Sequence, residues 1–164
     1  YMFFILQAKS LFTGKLSIIA PILLYILFNI FYASLSIPFG KLSDKIGRKK
    51  VILAGYLLFS MTSFGFAFLN SLASLIILFA FYGVVYAAID GNQRAFVADL
   101  SPQELKSTAL GTFHTAIGIS ALPASLIAGF LWQTNPKITF LYGGITSATA
   151  VVLFLALQSK IKVN

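Results

Sequence analysis

Few side chains in this sequence could do chemistry, and their types restrict what that chemistry is. The chain has no cysteine. It has four carboxylates and a single histidine: Asp44, Asp90, Asp99, Glu104 and His114. Disulfides, cysteine-ligated zinc and thiol nucleophiles are therefore excluded, and one histidine cannot form a multi-histidine metal site. Because the carboxylates are dispersed along the chain, we predict that the protein is not an enzyme and needs no metal or cofactor.

Asp90 is the most informative carboxylate, because it lies within a long apolar stretch. Counting back from Asp99 places it about 13 Å along a helix from that residue. Arg94 follows Asp90 four positions later, in the order that favours an ion pair on one helix. Two interpretations stay open, a structural ion pair or a carboxylate that binds a proton or a cation. Asn92 belongs to the same candidate site, either lining a cavity or capping the helix end.

His114 and Asn29 are the other polar side chains that merit attention, since both also lie in apolar stretches. His114 lies at a depth similar to that of Asp90. It either titrates together with Asp90 or bonds a hydroxyl or carbonyl group of a neighbouring helix, and we favour the bond. Asn29 makes either an interhelical hydrogen bond or a contact to a substrate.

Membrane helices must hold these residues in place. Of the 164 residues, 59% are hydrophobic and 10% charged, with a mean hydropathy of +0.91, whereas soluble domains have about 25% charged residues. A helix needs about 20 apolar residues to cross a bilayer. We predict an all-α membrane protein, one six-helix unit over 1–164, with a truncated first helix at 1–7 and full helices at about 16–39, 51–69, 72–97, 102–132 and 138–158.

Local signals indicate where these helices begin. Asn70 and Ser71 predict a tight turn with a helix cap. The run from Ser101 to Glu104 predicts a capping box, with Pro102 at the first helical position. A further break is expected at 135–136, where Asn precedes Pro.

The positive charge indicates how the helices are oriented. The net charge is +8, and this composition leaves too little polar surface for a nucleic-acid partner. Loops rich in Lys and Arg stay on the cytoplasmic side. One side has only Lys9, Lys15 and Lys137, and the other has Lys41, Lys45, Arg48, Lys49, Lys50, Arg94, Lys106, Lys160 and Lys162. We therefore expect residues 40–50 and the C-terminus to be cytoplasmic, in a cell membrane whose lipid is a partner.

Residues 40–50, here called the signature segment, have the most specific pattern. Gly40, Leu42, Asp44, Gly47, Arg48 and Lys49 follow the order G-x-L-x-D-x-x-G-R-K. From the residue types, Gly40 allows a neighbouring helix to approach and Gly47 permits a left-handed turn. The segment lacks the order of a phosphate-binding loop. It resembles the cytoplasmic signature loop of the major facilitator superfamily, with Ser43 in place of the usual Ala and Lys45 in place of Arg.

A second stretch resembles the turn between two later helices of the same superfamily: Asp99, Leu100, Ser101, Pro102, Glu104, Lys106, Ala109 and Gly111. The resemblance implies a secondary transporter of twelve helices in two halves, which moves a small-molecule substrate by alternating access. Coupling to a proton or cation gradient, as symporter or antiporter, is expected. We interpret the chain as the C-terminal half, a fragment from the end of helix seven to helix twelve. The alternatives are the N-terminal half and a membrane scaffold or receptor that does not transport.

The resemblance also implies roles for individual residues. The signature segment would control the conformational equilibrium, and Arg48 would pair with Asp99. Glu104 and Lys106 would belong to the same cytoplasmic charge network, while Asp90 would lie on a helix that lines the central cavity. Small residues and a proline interrupt the predicted helix 102–132, and we expect them to serve close packing or bending: Gly111, Gly118, Pro123 and Gly129.

Overall fold

The structure, a computed structural model, describes residues 2–160, which form six α-helices and one short 3-10 turn. The helices are α1 (Met2–Ser10), α2 (Leu16–Ile46), α3 (Arg48–Phe68), α4 (Leu72–Asp99), α5 (Lys106–Thr134) and α6 (Pro136–Lys160), and the turn is Gln103–Leu105. Five helices are long and apolar enough to cross a membrane. The predicted all-α fold, with one short and five full helices, is confirmed, and the protein is an integral, multi-pass membrane protein. Lys162 of the predicted basic side lies outside the described residues.

The second helix is longer than the apolar stretch that predicts it. α2 continues beyond residue 39 to Ile46, and α3 already starts at Arg48. The expectation of a loop across the signature segment is therefore wrong, since only Gly47 interrupts the helices there. Its φ of 96° lies in the left-handed region, as expected for this glycine. The physical reason is that Lys41 and Lys45 are good helix formers, so the helix leaves the membrane without ending.

The predicted cap at the turn before α4 is confirmed. Ser71 Oγ accepts a hydrogen bond of 3.1 Å from the backbone N–H of Ser74. A similar turn precedes α6, where Asn135 Oδ1 accepts from the backbone N–H of Lys137 at 2.9 Å. With that cap, α6 begins at Pro136, two positions before the expected start.

The capping box predicted at 101–104 does not form. Pro102 is extended, with φ of −54° and ψ of 148°, so the first helical turn begins only at Gln103. The Ser101 hydroxyl turns back and donates to the carbonyl of Val97 at 2.7 Å. Extended backbone at Pro102 moves Ser101 away from the amide that it would have capped. In the connection between α4 and α5, the Ser101 side chain therefore bonds the end of α4 and does not cap the start of α5.

The core lies where α4 packs against α2 and α3, and α3 also packs against α6. α2 and α4 cross closely at Gly83, where an added Cβ would lie 2.5 Å from the carbonyl oxygen of Phe28. α1 inserts Phe4 into this core, with its ring centroid 4.5 Å from that of Phe66 and 4.3 Å from that of Tyr82. Aromatic packing and a glycine crossing therefore fix α2 and α4, the helices that bear the candidate site.

One helix stands apart from this core. None of the residues of α5 is buried against the rest of residues 2–160. A Cβ added at Gly111, Gly118 or Gly129 would meet nothing within 4 Å. Within the described residues these glycines have no close neighbour, so their role in packing stays a prediction, and Pro123 lies within an uninterrupted helix. Small residues permit close approach but do not cause it, and no described helix covers this face.

Candidate functional site

Arg48 lies at the centre of the charged cluster at one end of the bundle. Its Nη2 is 3.0 Å from Asp44 Oδ1, one turn earlier in the chain, and its Nε donates to Asp99 at the end of α4. The predicted pair of Arg48 with Asp99 is thus present. Both carboxylates are largely exposed, so each pair contributes about 1 kcal/mol or less. Their geometry nevertheless joins the ends of α2, α3 and α4.

The remaining expected members of the charge network lie outside this cluster. Glu104 is exposed, and neither it nor Lys106 makes an ion pair within residues 2–160. Lys49 instead lies over the ring of Phe154, with Nζ 5.7 Å from its centroid. Among residues 2–160, no other helix comes within 4 Å of a Cβ added at Gly40, so the expected close approach of a helix is not made by a described one.

A buried polar contact, which sequence reasoning missed, lies directly behind Arg48. Ser43 Oγ is 2.6 Å from Asn92 Oδ1, and the Asn92 amide donates to the carbonyl of Ala88 at 2.9 Å. The relative exposures of Ser43 and Asn92 are 1% and 3%. The sequence signals were the serine at the position where the resemblance has alanine and the polar Asn92 in an apolar stretch, but nothing in the sequence joins the two.

Asp90 has two hydrogen-bond partners on two helices. The hydroxyl of Tyr32 on α2 donates to Asp90 Oδ2 at 2.7 Å, and Arg94 donates to the same oxygen from one turn further along α4. The ion pair of Asp90 with Arg94 is therefore present. The Asp90 side chain keeps 38% of its surface exposed. Asp90 is therefore held by partners on two helices while part of its side chain stays exposed.

Two cavities meet at Asp90. A polar cavity of about 330 Å³ lies between α2 and α4 and contains Tyr32, Arg48, Asn92 and Arg94 among its lining residues. An apolar cavity of about 520 Å³ lies between α3, α4, α5 and α6, with Tyr56, Tyr86, Gln93 and Tyr142 in its wall. Asp90 is a lining residue of both cavities. No group of three potential metal ligands occurs within residues 2–160.

His114 and Asn29 are not part of this arrangement. His114 is exposed on α5 and makes no hydrogen bond to any described residue, so the expected interhelical bond is absent there. Its ring lies against that of its neighbour Phe113, with centroids 5.6 Å apart. Asn29 donates to the carbonyl of Tyr25 in its own helix at 2.7 Å, rather than to another helix. Neither side chain lies at Asp90.

Comparison with known proteins identifies relatives of the chain. The family model described as Major Facilitator Superfamily matches residues 5–162. An uncharacterized MFS-type transporter of Methanocaldococcus jannaschii is 53% identical over 158 residues, which are 94% of this chain and 40% of that protein. The quinolone resistance protein NorA of Staphylococcus aureus is 26% identical over 121 residues, which are 73% of this chain and 31% of that protein. The chain spans less than half the length of these curated relatives.

Proposed function

Since the chain belongs to the major facilitator superfamily, we propose that it is the C-terminal half of a secondary transporter. The transporter moves a small solute across a cell membrane by rocking two helical bundles around a central site. The signature segment and the C-terminus face the cytoplasm, because the basic residues collect at that end. The transport step is driven by a proton or cation gradient, by symport or by antiport.

The observation that carries the proposal is the charged cluster of Asp44, Arg48 and Asp99. One guanidinium bonds two carboxylates from different helices, at the end of the bundle where the basic residues collect. Solvated ion pairs contribute about 1 kcal/mol or less. Breaking them therefore costs no more than the few kcal/mol by which two conformations of a transporter differ in free energy. A purely structural scaffold has no need of such an exchangeable contact.

Asp90 is the residue that we assign to gradient coupling. It is the one carboxylate within the apolar part of a described membrane helix, and such groups usually serve an ion pathway. Arg94 and Tyr32 both donate hydrogen bonds to its carboxylate. Protonation of Asp90, or exchange of Arg94 for a bound cation, would release both partners and change the contact between α2 and α4.

The partner that we propose for α5 is the other six-helix half. α5 presents apolar side chains and the polar groups of His114 and Thr115 without cover from the described residues. Polar groups on such a face are costly against lipid. A second bundle would cover both the apolar and the polar part of that face.

Transport by the whole protein that contains this chain tests the proposal. Radiolabelled small solutes are screened for saturable uptake into vesicles, with and without an imposed proton gradient. For a solute that is accumulated, we expect Asp90→Asn to abolish the accumulation that the proton gradient drives. Exchange of the solute down its own concentration gradient should continue.

His114→Gln is the matched control, because it also removes a titratable group from a membrane helix. We expect it to retain accumulation. The opposite pattern would move the coupling site to α5. Loss of both activities in Asp90→Asn, together with loss of folded protein, would make Asp90 and Arg94 a structural ion pair only.

A further inference from the structure

The contact between Ser43 and Asn92 is the most deeply buried polar contact between α2 and α4. Its oxygen–oxygen distance is 2.6 Å, and both side chains are almost completely removed from solvent. The Asn92 side-chain NH₂ donates to the carbonyl of Ala88. The Ser43 hydroxyl has one proton and two acceptors within reach, Asn92 Oδ1 at 2.6 Å and the carbonyl of Gly40 in its own helix at 2.7 Å. Among the described residues it is the donor that faces the Asn92 side-chain oxygen, and a buried acceptor without a partner is costly.

The pair also lies directly against Arg48. Arg48 Nη1 is 3.5 Å from Ser43 Oγ, at the outer limit of a hydrogen bond, and the Ser43 carbonyl accepts the backbone N–H of Gly47 at 2.9 Å. Ser43 therefore contacts both the glycine that ends α2 and the guanidinium that begins α3. A substitution at Ser43 therefore alters a direct contact of Arg48, independently of Asp44 and Asp99.

The two contacts of the signature segment with α4 lie on one face of that helix. Asn92 and Asp99 are seven positions apart, which is about two helical turns. The inner contact, Ser43 with Asn92, is buried, and the outer contact, Arg48 with Asp99, is exposed. Because exposed ion pairs are weak and buried acceptors are costly to leave unpaired, the inner contact holds the segment.

We propose that Ser43 and Asn92 are positioning residues, which hold the signature segment on α4 and keep Arg48 within reach of Asp99. In this arrangement the charged cluster depends on a buried contact. What that contact does in transport rests on the proposed function. It explains why a serine occupies this position of the segment. Alanine would leave the Asn92 oxygen, at 3% exposure, without its donor.

Limited trypsin digestion of the detergent-solubilised protein tests this without any substrate. Trypsin cleaves after Lys45, Arg48, Lys49 and Lys50 only when the segment opens, so the cleavage rate reports the population of the open form. We expect Ser43→Ala to raise the rate at 45–50 by about tenfold, as loss of one buried hydrogen-bond partner implies. Cleavage after Lys106 is the internal reference and should not change.

Two control variants separate the hydrogen bond from general damage. Ser36→Ala removes a hydroxyl from α2 two turns earlier, where it donates only to the Tyr32 carbonyl of the same helix, and it should leave the rate within about twofold. Ser43→Thr keeps the hydroxyl and should restore slow cleavage. An equal rise in Ser36→Ala, or an equal rise after Lys106, would overturn the proposal.

A double variant tests the positioning of Arg48. Asp99→Asn alone should raise the rate by about threefold, as expected for an exposed ion pair. In Ser43→Ala it should add nothing, because Arg48 has already left Asp99. If the two effects multiply, Ser43 does not position Arg48 and the inference fails. None of these outcomes depends on uptake, so a failed transport assay overturns the proposed function and leaves this test unaffected.

Discussion

At the scale of single residues, two arginines organise the polar part of the chain in different ways. Arg48 joins carboxylates that come from separate helices, and it depends on tertiary structure for its contact with Asp99. Arg94 pairs with Asp90 on its own helix, and it would do so in an isolated α4. Arg48 therefore reports how helices are assembled, whereas Arg94 sets the local charge of one site.

Asp44 gives a prediction at this scale. It is exposed at the end of the bundle that carries the charged cluster, and it lines neither of the two cavities that meet at Asp90. We expect Asp44→Asn to lower the maximal transport rate by about fivefold, the equivalent of a weak ion pair, with the KM for solute nearly unchanged. Initial rates of uptake at varied solute concentration measure both quantities.

Lys45→Gln is the control for this prediction, since Lys45 is the next residue and makes no ion pair within residues 2–160. Its transport rate should stay close to that of the unmodified protein. A KM that rises in Asp44→Asn in proportion to the fall in rate would place the signature segment in the binding site instead.

At the scale of helices, the crossing of α2 with α4 is the contact on which the site depends. Gly83 lies at that crossing, and an added Cβ would meet the backbone oxygen of Phe28 at 2.5 Å and the Cβ of Phe31 at 2.7 Å. Backbone cannot move aside as a flexible side chain can. Tyr32 lies about one turn beyond Phe28, and Asp90 lies about two turns beyond Gly83. The crossing therefore sets the distance between Tyr32 and Asp90.

Gly83→Ala should therefore lower the thermal stability of the protein. Forcing a methyl group against backbone costs about 1 to 3 kcal/mol, and the melting temperature of the detergent-solubilised protein measures the loss. Gly91→Ala is the matched control, because it adds the same methyl group to the same helix where nothing lies within 4 Å. Equal melting temperatures for the two variants would show that the crossing is not tightly packed.

At the scale of the whole molecule, the bundle is well packed on one side and open on the other. α3 and α4 contribute many of the buried side chains, while α5 has none within the described residues. Large apolar side chains of α5, such as Ile119, Leu126 and Phe130, are largely exposed. This asymmetry is what one half of a two-bundle transporter requires.

We accordingly expect this chain alone not to transport. Without a second bundle there is no central site to alternate between two faces, and Asp90 would be unfavourable against lipid by about 2 to 3 kcal/mol. Reconstitution of the chain alone, beside the whole transporter under the same gradient, provides the comparison. Saturable uptake by the chain alone would instead indicate a carrier that assembles from two copies.

What could be predicted from the sequence depends on properties that lie along the chain. Apolar length predicts the number of membrane helices, and spacing predicts the turn at Gly47 and the pair of Asp90 with Arg94, because each involves neighbours in sequence. The pair of Arg48 with Asp99 was accessible only through the family resemblance of its motif. Helix ends were less predictable, since a helix does not stop where the hydrocarbon stops.

Tertiary structure alone decided the contacts between helices. Ser43 meets Asn92 across 49 positions of sequence, and Tyr32 meets Asp90 across 58. Such contacts depend on the rotation of each helix about its axis and on the register of α2 against α4. The close approach at Gly83 sets that register. Nearly all-apolar helices carry little periodic signal of their rotation, because every face can be buried or can meet lipid.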